Sequence, residues 1–184
     1  MSQPNPQPIL LLNEKQIQQK INRIAYQILE DCSDELEIIV AGIADRGYVL
    51  ASRLKEKLET LGNIHATLLK VTLDKEGSSL KAETDLPLSA CENRTVIVVD
   101  DVLDTGKTLT YALGVFLNIP IKKLRTVVLI DRSHKLFPVG SDFTGLEIST
   151  ITHEHVSVVL NDGEVLDGGA EVDLRDGAEG VYLQ

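Results

Sequence analysis

Val96-Ile97-Val98-Val99-Asp100-Asp101-Val102-Leu103-Asp104-Thr105-Gly106-Lys107-Thr108 is the stretch from which the rest of the chain is read. Four apolar residues run straight into two acids, then into a turn with Gly and Thr that opens a helix. A run of this kind predicts a buried strand, and in open α/β sheets functional groups gather at the carboxyl ends of such strands. An ordinary strand-to-helix loop accounts for Thr105 and Gly106 as turn and capping residues. It does not account for Asp100, Asp101 and Asp104, which repel one another unless a cation or a hydroxyl-bearing ligand is present. The Gly-Lys-Thr is not a Walker-type loop, because that motif needs Gly five positions before Gly106 and the chain has Asp101 there. Nor is the acidic pair that of a response-regulator domain. Such a pair belongs to the first strand of its fold, and too little chain follows Asp101 to complete one.

Outward from this stretch the chain alternates strands and helices. Ile9–Leu12 reads as a short strand. Asn13 reads as an N-cap, with Gln16 in the capping-box position, for a helix whose apolar stripe is Ile17, Ile21, Ile24 and Ile28. Leu36–Ala41 reads as a buried strand, closed by the loop Gly42–Gly47 and followed by a helix from Tyr48 to Leu61, stopped at Gly62. Ile64–Leu73 is the next strand. Asp74–Ser89 is polar and aperiodic and reads as a mobile loop able to close over a site. After the strand Arg94–Val99 and the loop Asp100–Lys107 come a helix, Thr108–Leu117, and a strand, Leu124–Ile130. Short β-like pieces follow at Ile148–Ile151 and Val156–Leu160. The expected fold is α/β: a central, mostly parallel twisted sheet with helices on both faces and a small β-containing hood. One domain spans residues 9–167, between a disordered lead-in at 1–8 and a Gly/Asp-rich tail at 168–184.

Composition narrows the partners. The chain has 184 residues, 43 % of them hydrophobic, which suits one domain with its own core. Its net charge of −10 works against a nucleic-acid partner, whose affinity is built largely from Lys and Arg at phosphates. A phosphate site must then rest on backbone amides, a metal and a few local cations. Cys32 and Cys91 are too few for a disulfide framework and fit a reducing compartment. With no leader and no long apolar run, the chain is expected to be cytoplasmic and to cross no membrane.

The stretch Val96–Thr108 resembles, almost position for position, the signature of type I phosphoribosyltransferases: a hydrophobic strand, an acidic pair, and a loop ending Thr-Gly-Lys/Arg-Thr. Gly42-Ile43-Ala44-Asp45-Arg46-Gly47 is similar to that family's pyrophosphate loop. The resemblance implies binding of phosphoribosyl pyrophosphate (PRPP) with Mg²⁺. Asp100 and Asp101 would meet the ribose hydroxyls and lie near the metal. Asp104, Thr105, Gly106, Lys107 and Thr108 would cradle the 5′-phosphate with amides and hydroxyls. Ala44, Asp45 and Arg46 would face the pyrophosphate, with Lys135 as an additional contact. Asp104 and Arg46 are the catalytic candidates. Asp104 would accept the base's N–H proton or stabilise positive charge on the sugar.

Leu129-Ile-Asp131-Arg132-Ser-His134-Lys135 is similar to the Val-Asp-Arg-Gly-His-Arg segment of the bacterial pyrimidine-operon attenuators that double as uracil phosphoribosyltransferases. The resemblance runs from Ile9 to about Leu160. Asp142–Ile148 resembles a base-binding segment of hypoxanthine-guanine phosphoribosyltransferases, which would put Phe143 against the base and the Thr144 backbone at its edge. Purine enzymes carry a Lys where this chain has Asp131 and a metal-binding Asp where it has Thr150. Both departures favour uracil, while Asp104 is purine-like. The attenuators read RNA with a basic surface that includes a Thr-Arg pair and a His on the first helix. Asn22-Arg23-Ile-Ala-Tyr26 keeps only the Arg, so RNA is not expected as a partner. Relatives form dimers or tetramers, and the resemblance implies a homo-oligomer.

Overall fold

The computed structural model of the chain describes residues 7–76, 79–150, 154–161 and 178–184. Strand β1 (Ile9–Asn13) leads directly into helix α1 (Glu14–Asp31). The expected capping box is formed. The Asn13 side chain accepts from the Gln16 N–H at 3.0 Å, and the Asn13 N–H donates to Gln16 Oε1 at 2.9 Å. Ile17, Ile21, Ile24 and Ile28 are fully buried along one stripe, as their spacing predicts.

Then follow β2 (Glu37–Ile43), α2 (Ala44–Leu61), β3 (His65–Glu76), β4 (Ser79–Thr84), β5 (Thr95–Leu103), α3 (Lys107–Phe116), β6 (Lys123–Asp131), β7 (Phe143–Glu147), β8 (Val156–Val159) and β9 (Gly180–Leu183). The main sheet has the order β4-β3-β2-β5-β6-β7. Its pairs are parallel except β3–β4, which is antiparallel. The second sheet is antiparallel with the order β1-β9-β8.

Alternation along the central strands explains the two-faced burial. Val40, Ile97, Val99, Val127 and Leu129 point to one side and share a core with α1, α2 and the small sheet. Ile39, Ala41, Val96, Val98 and Val128 point to the other and pack against Leu109, Ala112 and Phe116 of α3. The small sheet is held to α2 by a two-pronged ion pair, Arg53 Nη1 to Glu179 Oε1 at 2.6 Å and Arg53 Nη2 to Glu179 Oε2 at 2.8 Å. Burial alone would raise the Glu179 pKa, but the bonds and charge of Arg53 and the Asn161 N–H hold it below the ordinary carboxylate value.

Four expectations need correction. Asp74–Ser89 is not one long loop, because β3 continues to Glu76 and β4 returns alongside it from Ser79 to Thr84. Among its described side chains Leu73 and Ala82 are only partly buried, so it lacks the apolar run of a central strand. Helix α2 starts at Ala44 rather than Tyr48, taking most of the expected loop into its first turn. The strand expected at Ile148–Ile151 lies earlier, at Phe143–Glu147. The last residues are not a tail, because β9 is the middle strand of the small sheet and Val181 is fully buried. Residues 1–6 of the lead-in, Gly77 and Ser78 of the expected loop, Ile151, and 162–177 lie outside the described residues. Among those described, no helix is long and apolar enough to cross a membrane.

Candidate functional site

Three adjacent strands, β2, β5 and β6, end at one edge of the sheet, and helices α2 and α3 begin there. In neither helix does the N-cap residue, Ile43 or Gly106, cap with a side chain, in contrast to α1, although the Lys107 N–H at the start of α3 donates to the Thr105 hydroxyl at 3.3 Å. Two sets of orphan N–H groups and two positive dipole ends therefore lie at the same edge. Such helix starts are ready-made for anions.

Backbone geometry shapes both turns. Ala44, at the start of α2, holds φ at 45°, and Gly106 holds φ at 80°. A Cβ on Gly47 would stand 2.7 Å from the Val99 carbonyl oxygen and 3.1 Å from the Asp100 Cα. Only glycine lets the first turn of α2 lie against the end of β5 this closely. That contact brings Arg46 near the acidic pair. At Gly106 a Cβ would meet Val139 Cγ1 at 2.6 Å, so this turn is closed from outside by the segment after β6. The Thr105 carbonyl accepts from the Leu136 and Phe137 N–H groups at 2.9 and 3.0 Å, fixing the same closure. Gly106→Ala is expected to cost about 1–2 kcal/mol of stability from the left-handed backbone alone, and to weaken anion binding at α3. Thermal melting and a phosphate-ester titration check both outcomes.

Asp100 and Asp101 lie near the carboxyl end of β5, followed within the strand only by Val102 and Leu103. Asp100 Oδ1 accepts from the Asp101 N–H at 3.0 Å, and Asp101 Oδ1 accepts from the Val102 N–H at 2.9 Å. Burial, then the neighbouring Asp101 charge, pushes the Asp100 pKa well above the ordinary value. Burial also raises Asp101, against the opposing charge of Arg46. Two adjacent carboxyls short of positive charge are a fit for a hard divalent cation, which binds oxygen ligands. No cluster of three acidic, His or Cys side chains suited to a metal occurs among the described residues. Mg²⁺ fits such a site, because it keeps several waters and takes one or two carboxylates plus substrate phosphates.

The remaining candidates divide. Asp104 and Thr105 lie partly exposed in the turn, and Lys107 and Thr108 stand exposed in the first turn of α3. Asp45 receives Lys70 Nζ at 2.9 Å, and the same ammonium lies 5.6 Å from the Tyr48 ring centre. Lys70 is thus a cation at the start of α2 that the sequence reading missed; a Lys within a strand carries no local signal of this. Lys135 does not stand free as an additional anion contact. Its ammonium pairs with Asp131 at 3.0 Å, and Asp131 also accepts from the Ser133 N–H at 2.8 Å.

Phe143 and Thr144 are not brought to this edge. Phe143 pairs in register with Val127, four residues short of Asp131 at the end of β6, and packs into the α1-side core. The Thr144 carbonyl accepts from Arg23 Nη2 at 2.8 Å, and its hydroxyl bonds Ser141. Parallel pairing with β6 turns this segment into a sheet edge, where the half-buried aromatic packs against the α1-side core. Arg132, also missed, is buried between the Asp104 turn and the approach to β8.

A model of the phosphoribosyl transferase domain matches residues 11–162. The chain is 34 % identical to a bifunctional protein PyrR from Corynebacterium glutamicum, in an alignment covering 98 % of this chain and 99 % of that one. It is 33 % identical to a bifunctional protein PyrR from Microcystis aeruginosa, covering 95 % and 97 %. Its fold is similar to that of a hypoxanthine-guanine phosphoribosyltransferase from Bacillus anthracis, with a TM-score of 0.66, 25 % identity, and coverage of 76 % of this chain and 80 % of that one. A hypoxanthine phosphoribosyl transferase from Trypanosoma cruzi has the same fold, with a TM-score of 0.70 at 18 % identity, covering 81 % of this chain and 83 % of that one.

Proposed function

This chain belongs to the phosphoribosyl transferase family, and on that premise we propose that it transfers ribose 5-phosphate from PRPP to uracil, releasing pyrophosphate. One observation carries the site assignment: two adjacent carboxyls, Asp100 buried and Asp101 half-buried, flanked by two helix starts whose N-cap residues, Ile43 and Gly106, offer no side-chain cap. The substrate has matching parts, namely two ribose hydroxyls, a 5′-phosphate and a pyrophosphate.

In this reading Asp100 and Asp101 accept hydrogen bonds from the ribose hydroxyls and hold the Mg²⁺ that accompanies PRPP. When bound, that cation neutralises charge on the leaving pyrophosphate. The first-turn amides of α3, with the Thr105 and Thr108 hydroxyls, hold the 5′-phosphate, and Lys107 adds a cation. The start of α2, with Ala44, Asp45 and Arg46, faces the pyrophosphate, and Arg46 steadies its charge as it departs. A base nitrogen attacks ribose C1 while the C1–oxygen bond to pyrophosphate breaks. Asp104 takes the base's N–H proton or balances positive charge on the sugar.

Uracil is favoured by the bifunctional PyrR relatives and by the missing purine-type Lys at Asp131. The Asp131 carboxyl is itself paired with Lys135, so its repulsion of a purine oxygen is partly screened. The expected discrimination is therefore modest. Comparison of kcat/KM should place uracil ahead of hypoxanthine and guanine by about tenfold, which is roughly 1.4 kcal/mol. A lead for either purine would reverse the base assignment and make Asp104 its mark. RNA is not proposed as a partner. Arg23, the retained basic residue of α1, donates to the Thr144 and Gly145 carbonyls at 2.8 and 2.7 Å, which supports a role in the fold. A cytoplasmic homo-oligomer is proposed on family likeness.

A further inference from the structure

Arg132 is a buried cation that the motif leaves without a role. Its side chain is 6 % exposed, and all three guanidinium nitrogens are engaged. Nε and Nη2 donate to Thr150 Oγ1 at 3.1 and 3.0 Å, and Nη2 donates to the Glu154 carbonyl at 2.6 Å. Nη1 lies 3.3 Å from Asp104 Oδ2, and the Arg132 backbone N–H donates to the Leu103 carbonyl at 2.9 Å. One side chain thus joins the turn after β5, the segment after β7 and the approach to β8. His155, next to Glu154, exchanges both backbone hydrogen bonds with Gln184 at 2.8 Å, so the chain's last residue stiffens the same approach.

Resting on the transferase reading, we infer that Arg132 is the positioning residue for Asp104, holding its carboxylate in the working orientation by bracing it against Thr150 and Glu154. Asp104 is 44 % exposed, and a carboxylate at the tip of a turn explores several rotamers unless something fixes it. The planar fork of an arginine fixes direction as well as charge, whereas a lysine ammonium is a point charge on a flexible stem and does not reach three separate partners. Arg132 touches no substrate in this account, because its donors are turned to protein groups.

The test is a cycle of Arg132→Gln, Asp104→Asn and the double variant in the full chain, with Arg132→Lys alongside, measuring kcat and the KM for PRPP. Arg132→Gln should lower kcat by about tenfold or more, with the KM for PRPP within about threefold of wild type, because the phosphate cradle is untouched. In the Asp104→Asn background the same change should slow the enzyme by less than about twofold, since the residue it serves is already disabled. Arg132→Lys should recover only part of the loss. If Arg132→Gln fails to fold, the cycle is run with Arg132→Lys under the same criterion. Equal factors in both backgrounds, or wild-type kcat in the single variant, would overturn the inference while leaving the transferase reading intact. A wild-type protein that makes no nucleotide overturns both.

Discussion

Replacing both Asp100 and Asp101 by Asn is expected to abolish turnover, by on the order of a thousandfold or more, while leaving the fold as stable as before or more so. Asp100 is buried with Asp101 half-buried beside it, and the Arg46 charge offsets only part of what their burial costs. Burial lifts both folded-state pKa values above the ordinary carboxylate range, so the folded chain retains protons that the unfolded chain has released. Below the unfolded value of about 3.9 the pair costs nothing in charge. As pH rises from there through the raised folded values, the wild type loses stability that the Asn variant keeps. The gap between variant and wild type should therefore widen between acid and neutral pH, measured without ligand by denaturant unfolding. Comparison with the variant matters because Asp31, Glu35, Glu59 and Glu179 are lowered and act in the opposite sense. An unfolded double variant, or one that retains most activity, would contradict the assignment.

PRPP with Mg²⁺ should raise the melting temperature far more than either alone. A ligand that binds only the folded state, at about 100 times its dissociation constant, adds roughly 2.7 kcal/mol. The largest relief is expected at Asp100 and Asp101, where the added cation would remove the mutual repulsion of the pair. With a chelator present the PRPP shift should collapse. An equal shift with and without metal would remove the cation from the account.

What could be read from residues alone follows from where each signal sits. Central strands such as Val96–Val99 are buried on both faces and show as unbroken apolar runs. The acidic pair after them has no structural excuse, so the fold and the candidate site were legible at that one place. Helix α1 was equally plain, because its Ile stripe and capping box are local. The β3–β4 hairpin was not, since Lys75, Lys81 and Glu83 on a sheet edge read like loop residues. Phe143 was misplaced because a half-buried aromatic looks the same in sequence whether it lines a pocket or closes a core. Strand β9 is short and finds its partners, β1 and β8, only in three dimensions. Lys70 and Arg132 are site neighbours for the same reason. Their partners Asp45, Asp104 and Glu154 are set by tertiary approach, which no spacing rule encodes.

Transfer of ribose 5-phosphate to uracil is read out by following nucleotide and pyrophosphate together when the purified chain is mixed with PRPP, Mg²⁺ and uracil. Equal amounts of uridine 5′-monophosphate and pyrophosphate are expected, with neither formed by the Asp100→Asn/Asp101→Asn double variant. PRPP left intact with uracil, hypoxanthine and guanine alike would contradict the transferase reading.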